Sequence, residues 1–227
     1  MQFLGSLKRL EVLKAAVAVS KCLENGEKPE EDTLASTLLP NPDNARKLRN
    51  LLVGAMVSEC VRRSMEVVTP TVQRASEPCY KLSNGYIMIK CRFHKTCASK
   101  DAFFIFSPLD YLALQVYIKV YRPAIVPPEI LNDREAPVFP CSNSPNSRYD
   151  DRFFHPYTAS LSNVANYINF AYSFCKMAHP DPSIRISTRR LRQSVISANS
   201  LLKDPALMSS LAQQMCHTVG VQYRNYT

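Results

Sequence analysis

Ser187-Thr188-Arg189-Arg190-Leu191-Arg192, followed by Met215-Cys216-His217-Thr218 and by Tyr226 nine positions beyond that histidine, decides how this chain is read. Ser187 or Thr188 can cap a helix that opens with arginines and runs over 188–202. Arg189 and Arg192 stand three apart, so a helix brings both to one face, where they can reach a single anion. Arginine suits phosphate in particular. Its planar fork makes two parallel hydrogen bonds to phosphate oxygens, and it stays charged at any relevant pH. A second capped segment, 205–216, has Asp204 at its start and Pro205 first, and it delivers the chain to His217.

Working outward, 28 Lys+Arg against 19 Asp+Glu give a formal charge of +9, which favours a polyanionic partner. With 227 residues and 46% hydrophobic content the chain can bury one large core. We therefore expect one compact body, with 1–42 an N-terminal helix and linker and 43–227 the main domain. The eight cysteines are scattered without a C-x-x-C pair, the four histidines lack H-E-x-x-H spacing, and the five glycines form no phosphate loop. Neither a metal nor another cofactor is implied, and a reducing intracellular compartment is expected. The first nine residues lack a signal-peptide pattern, and no apolar run approaches the roughly 20 residues that span a bilayer, so no membrane partner is expected.

Helical spacing over 6–24 (Leu7, Leu10, Val17) stops at Asn25-Gly26. After an acidic link, a second helix is expected from Asp43 or Asn44 through Leu48, Leu51, Leu52 and Met56 toward Glu66, with Arg62 and Arg63 near its end. The period then shortens to two. Segments 85–93 and 102–106 read as an antiparallel pair whose polar turn carries Lys95. Ser107-Pro108 opens a helix over 109–121, which Arg122-Pro123 should stop. Residues 123–157 are rich in proline, asparagine and serine and read as a long surface loop around an extended Val138-Phe139. Helical patterns return at 158–177 and in the segments described above. The fold class is α+β, mainly α: a helical domain with a small antiparallel β-sheet.

In this order the residues resemble the catalytic set of the tyrosine recombinase, or phage integrase, superfamily. Arg63 is followed by Glu66 and Val67, as the family's first arginine is followed by an acidic and then an apolar residue. Lys95 lies between two strands in His94-Lys95-Thr96, Arg192 follows on a helix, and the interval from His217 to Tyr226 is the usual one. The resemblance covers 43–227. It implies a helical catalytic domain that breaks and rejoins DNA without a metal, through a 3′-phosphotyrosyl intermediate. By that resemblance Arg63 and Arg192 clamp the phosphate with Arg189 beside them, Lys95 protonates the departing 5′ oxygen, His217 bonds the phosphate and Tyr226 attacks it. Arg62, Lys90, Lys100 and Tyr223 stand as alternatives at their positions. The chain departs from the family at Arg189, where histidine or sometimes lysine is usual, and at Met215-Cys216, where leucine-glycine is usual. Thr188 to Arg192 also resembles transposon-derived members of the Crypton type.

The resemblance implies double-stranded DNA as partner, and a homo-oligomer on DNA, dimer or tetramer, for recombination. Location would be nuclear in a eukaryotic transposon-derived member and cytoplasmic or nucleoid-associated otherwise. With about forty residues ahead of the resemblance and one after Tyr226, a trimmed or reduced member is expected. Three other readings remain: a type IB topoisomerase-like nick-and-reseal enzyme, a recombinase-derived DNA-binding domain that has lost cleavage, and a helical interaction scaffold.

Overall fold

Helix α1 (Leu7–Glu24) ends where Gly26 turns to φ 72°, and Glu27 N–H closes back on the Cys22 carbonyl at 2.7 Å. The Asn25-Gly26 stop is thus a left-handed helix terminus that only glycine adopts without strain. This computed structural model describes residues 6–60, 64–77, 80–91, 103–141, 155–177, 185–200 and 209. Among them α2 (Leu34–Thr37), α3 (Pro42–Cys60), α4 (Ser64–Val68) and α5 (Val72–Ser76) follow α1. The expected second helix starts earlier than the sequence suggested, because Asn41 caps it by accepting from Asn44 N–H at 2.9 Å and Pro42 needs no donor in the first turn. Its described parts are α3, up to Cys60, and α4, from Ser64 through Glu66. Arg62 and Arg63 lie between them, outside the described residues.

α3 is the core helix, burying Ala45, Leu48, Leu51, Leu52, Val53, Ala55, Met56 and Val57. A helix apolar on this many sides must be surrounded. It packs on α7 (Leu161–Phe174), on the sheet, and on the helix that follows the sheet. The sheet has the order β1-β2-β3 (Tyr80–Lys81, Ile87–Lys90, Phe103–Phe106), all antiparallel. Ile87, Ile89, Phe104 and Phe106 alternate into the core. Lys90 pairs with Phe103, so the strands expected on either side of Lys95 are confirmed as partners, while Lys95 and Lys100 themselves lie outside the described residues.

Ser107 caps α6 (Pro108–Val116), accepting from Asp110 N–H at 3.2 Å and donating to Asp110 Oδ2 at 2.5 Å. The other Asp110 oxygen receives Arg9 of α1, with both side chains almost fully buried. Beyond Val116 the chain widens into a π-helical turn (Tyr117–Tyr121) that ends at Tyr121, as expected from Arg122-Pro123, and one 3-10 turn (Arg122–Ala124) follows. Pro123 fits because the opening turn of a helix requires no N–H from it. Within 123–157 the described residues 136–141 are internal, unlike a surface loop. Val138 and Phe139 are buried and extended, flanked by bridges Thr71 to Pro137 and Pro140 to Thr158. α7 is capped by Ser160, which accepts from Asn163 N–H at 3.3 Å, and α8 (Thr188–Ser200) is capped by Ser187. Of the expected 205–216 helix only Ser209, which is helical, is among the described residues. No described helix is long and apolar enough to cross a membrane.

Arg9 and Asp110 set the first prediction. Asp110→Ala should cost about 3–5 kcal/mol in urea denaturation by leaving a guanidinium buried without its counterion, and Arg9→Met with Asp110→Leu should cost less than the single change.

Candidate phosphate-binding site

α8 begins with basic side chains and no acidic one. Ser187 Oγ accepts from Arg190 N–H at 3.3 Å, and the first turn holds no acidic residue. Arg185, Arg189 and Arg190 are exposed, and Arg190 Nη1 turns back to the Arg185 carbonyl at 3.2 Å. Arg192, one turn further on, is buried at 4% exposure beside Leu191, which packs on the core. The two arginines expected to act together therefore differ: Arg189 meets water and Arg192 is held in the protein. Cations at a helix N-terminus oppose the macrodipole by about 0.3–1 kcal/mol each. A bound anion reverses the sign of that term, and helix N-termini offer backbone N–H groups to it.

Three candidate-bearing segments converge here. Ser64, which follows Arg63 in the chain, hydrogen bonds through Oγ to Thr188 Oγ1 at 2.9 Å, one residue before Arg189. Cys91, at the end of β2 and the start of the connection that carries Lys95, places its Sγ 3.8 Å from the carbonyl of Glu66 in α4. Glu66 itself is buried. The start of α4 and the start of α8 are thus in contact, with the end of β2 against α4. Arg62, Arg63, Lys95, Lys100, His217, Tyr223 and Tyr226 lie outside the described residues, so of the catalytic candidates Arg189 and Arg192 are the two placed. Lys90 is described and lines an open cleft with Gln73, Arg74, Glu77 and Glu135. Two carboxylates in that cleft work against a phosphate there.

The structure also holds a pair that sequence reasoning missed. His155 Nε2 lies 3.0 Å from Asp133 Oδ2, while Tyr157 N–H donates to His155 Nδ1 at 3.2 Å. Nδ1 accepts, so the proton sits on Nε2 and is given to Asp133. With both ring nitrogens committed, His155 is a loop staple and not a free base. Tyr157 adds a 2.5 Å hydrogen bond to Glu129, and Cys141 N–H reaches the Tyr157 carbonyl at 2.8 Å. The 22-residue gap between Asp133 and His155 matches no motif, and only the fold reveals the pair. Among the described residues no group of three His, Cys, Asp or Glu could hold a metal.

No protein-family model and no curated protein matches the chain. Among solved structures the chain is similar to the XerH site-specific recombinase in a pre-cleavage complex with its difH substrate, at 13% identity and a TM-score of 0.44. That likeness covers 97% of this chain and 48% of the recombinase, so the chain spans about half its length.

Partial burial pushes the Asp133 carboxyl up, but hydrogen bonds from Glu135 N–H and His155 outweigh it and hold the group below its ordinary value. A carboxylate depressed on folding stabilises the fold above the ordinary Asp value of about 3.9, and that contribution is lost as pH falls through the lowered one. Urea midpoints measured from pH 6 to pH 2 should fall more steeply for the wild type than for Asp133→Asn; parallel curves would show that this staple does not govern the acid limb.

Proposed function

We propose that the chain is a tyrosine-recombinase-type domain that cleaves and rejoins DNA strands through a 3′-phosphotyrosyl intermediate. The observation that carries this reading is the Ser64–Thr188 hydrogen bond, because it joins the residue after Arg63 to the residue before Arg189 across 124 positions of sequence. The residue after Arg63 and the residue before Arg189, which family order would set on one phosphate, are in contact, and this supports the reading. The electropositive, acid-free start of α8 suits the same ligand.

In the proposed reaction Arg63, Arg189 and Arg192 neutralise the scissile phosphate and match the charge that grows on its oxygens. Tyr226 Oη forms a bond to phosphorus as the P–O5′ bond breaks, and the departing O5′ takes a proton from Lys95. His217 hydrogen bonds the phosphate. Attack by a 5′ hydroxyl on the phosphotyrosine then reforms the strand and releases the tyrosine. Arg62 and Tyr223 remain alternatives for Arg63 and Tyr226. The partner is double-stranded DNA, a dimer or tetramer on DNA serves recombination, and a role in integration or transposition, with a Crypton-like origin and nuclear location, is the finer form of the proposal. The main-domain limits of 43–227 belong to it as well.

A second reading is favoured by one residue. Arg189 stands where the family has histidine or sometimes lysine, so the proton acceptor that a histidine supplies is missing at that position, and a domain that grips DNA without cutting it fits the same charges. Incubation with end-labelled duplexes nicked near many sites, which trap cleavage by releasing a short fragment, separates the two. The expected result is an SDS-resistant 3′ adduct lost in Tyr226→Phe, kept in Tyr223→Phe, and reduced about 100-fold or more in Arg192→Ala. Salt-dependent binding with no adduct would move the assignment to the cleavage-silent domain, and absence of both would reject DNA as the partner.

A further inference from the structure

We propose that Asn169, in the middle of α7, is the positioning residue that fixes the arginine-bearing start of α8. Its amide meets both backbone groups of one residue: Nδ2 donates to the Ile186 carbonyl at 2.9 Å, and Oδ1 accepts from Ile186 N–H at 2.9 Å. The same Nδ2 donates to the Ala165 carbonyl at 2.7 Å, one turn back on α7, which locks the side chain's rotamer. A primary amide is the group that copies a peptide edge in this way, offering one donor and one acceptor in a plane. Asp would lose the donor, and Leu would lose both.

Ile186 is two residues before Thr188, where α8 begins, and its side chain packs on the core. Holding its N–H and C=O fixes the direction in which the chain enters Ser187, the cap, and so the azimuth of the helix that carries Arg189 and Arg192. The Ser64–Thr188 contact restrains the same turn from the α4 side. Two restraints from different helices over three residues define a position and an angle, whereas either alone leaves a pivot. Bidentate guanidinium binding needs that precision, since a displacement of about 1 Å at a reacting phosphate can cost about 100-fold. Nothing in the spacing of Asn163, Asn166 and Asn169 distinguishes them. Contact does: Asn166 is exposed and Asn169 is half-buried against Ile186.

This inference rests on the proposed grip of α8 on DNA phosphate, and its test uses a quantity independent of how much protein is folded. The slope of log affinity against log salt counts phosphate contacts, whereas a smaller folded fraction lowers affinity at every salt without changing the slope. For the whole chain on a 30-base-pair duplex, Asn169→Ala should flatten the slope by about one to two contacts, each worth about 0.9 in slope. Asn169→Asp, which keeps the acceptor for Ile186 N–H, should lie between. Asn166→Ala, on the exposed side of the same helix, should match the wild type. A wild-type slope in Asn169→Ala, whether or not affinity drops, overturns the positioning role and leaves the DNA reading standing. A wild type with no salt-dependent binding overturns both.

Discussion

The packing of α7 on α3 is the contact on which the rest of the arrangement depends. Ser58 and Tyr172 share a 2.8 Å hydrogen bond, and the Arg49 guanidinium lies 3.9 Å over the Tyr167 ring, so two polar anchors fix an interface otherwise built from Val164, Ile168 and Ala171 against the apolar α3. Burial pushes both the Tyr172 and the Tyr167 hydroxyls up, which keeps them neutral partners. Apolar surface supplies the larger share of the free energy, while the polar anchors select one register among several of similar area. α7 can then serve as a platform. It touches α4 on one side and holds Ile186, at the entrance to α8, on the other.

That platform resolves a local conflict. A helix that starts with exposed arginines and no acid is weaker for it, because its own dipole and its neighbouring charges both repel the added positive charge. Such a segment keeps its place only if the surroundings over-determine it, and here a serine cap, the half-buried Leu191, the Thr188 hydroxyl and the lead-in at Ile186 do so. The electrostatic cost is concentrated where an anion would relieve it. Arg192 gives the same argument from the other direction, since an arginine held in the protein has fewer rotamers to lose when a ligand arrives.

The sequence made legible whatever is encoded locally. Ser107-Pro108, Asn25-Gly26 and the apolar spacing of 158–177 each carry their own physics within a few residues, and α6, the end of α1 and α7 follow from them. The same is true of the strand pair around Lys95, where alternating Ile87, Ile89, Phe104 and Phe106 announce one buried face. Misreadings came where tertiary context overrides composition. Proline-rich 123–157 reads as surface, yet in its described part Val138 and Phe139 belong to the core. At the start of α8, spacing placed Arg189 and Arg192 on one helix but did not show that Arg189 meets water while Arg192 is buried. Asn169, Ser64 and the His155–Asp133 staple were not legible, because a side chain's partner tens of residues away leaves no period or motif behind.

In the proposed mechanism Arg189 stands where the family most often has a histidine. A histidine can take the nucleophile's proton, whereas a guanidinium cannot, so with arginine the phenol must lose its proton elsewhere, to solvent or to the phosphate itself. What arginine supplies instead is fixed charge. Next to a phosphate already carrying one negative charge, a third cation lowers the energy of the doubly charged transition state and of a developing phenolate together. Exchanging a base for a charge makes the step depend less on the protonation of a side chain and more on the geometry of the donors. That dependence is what a helix start tied down from both α4 and α7 can satisfy.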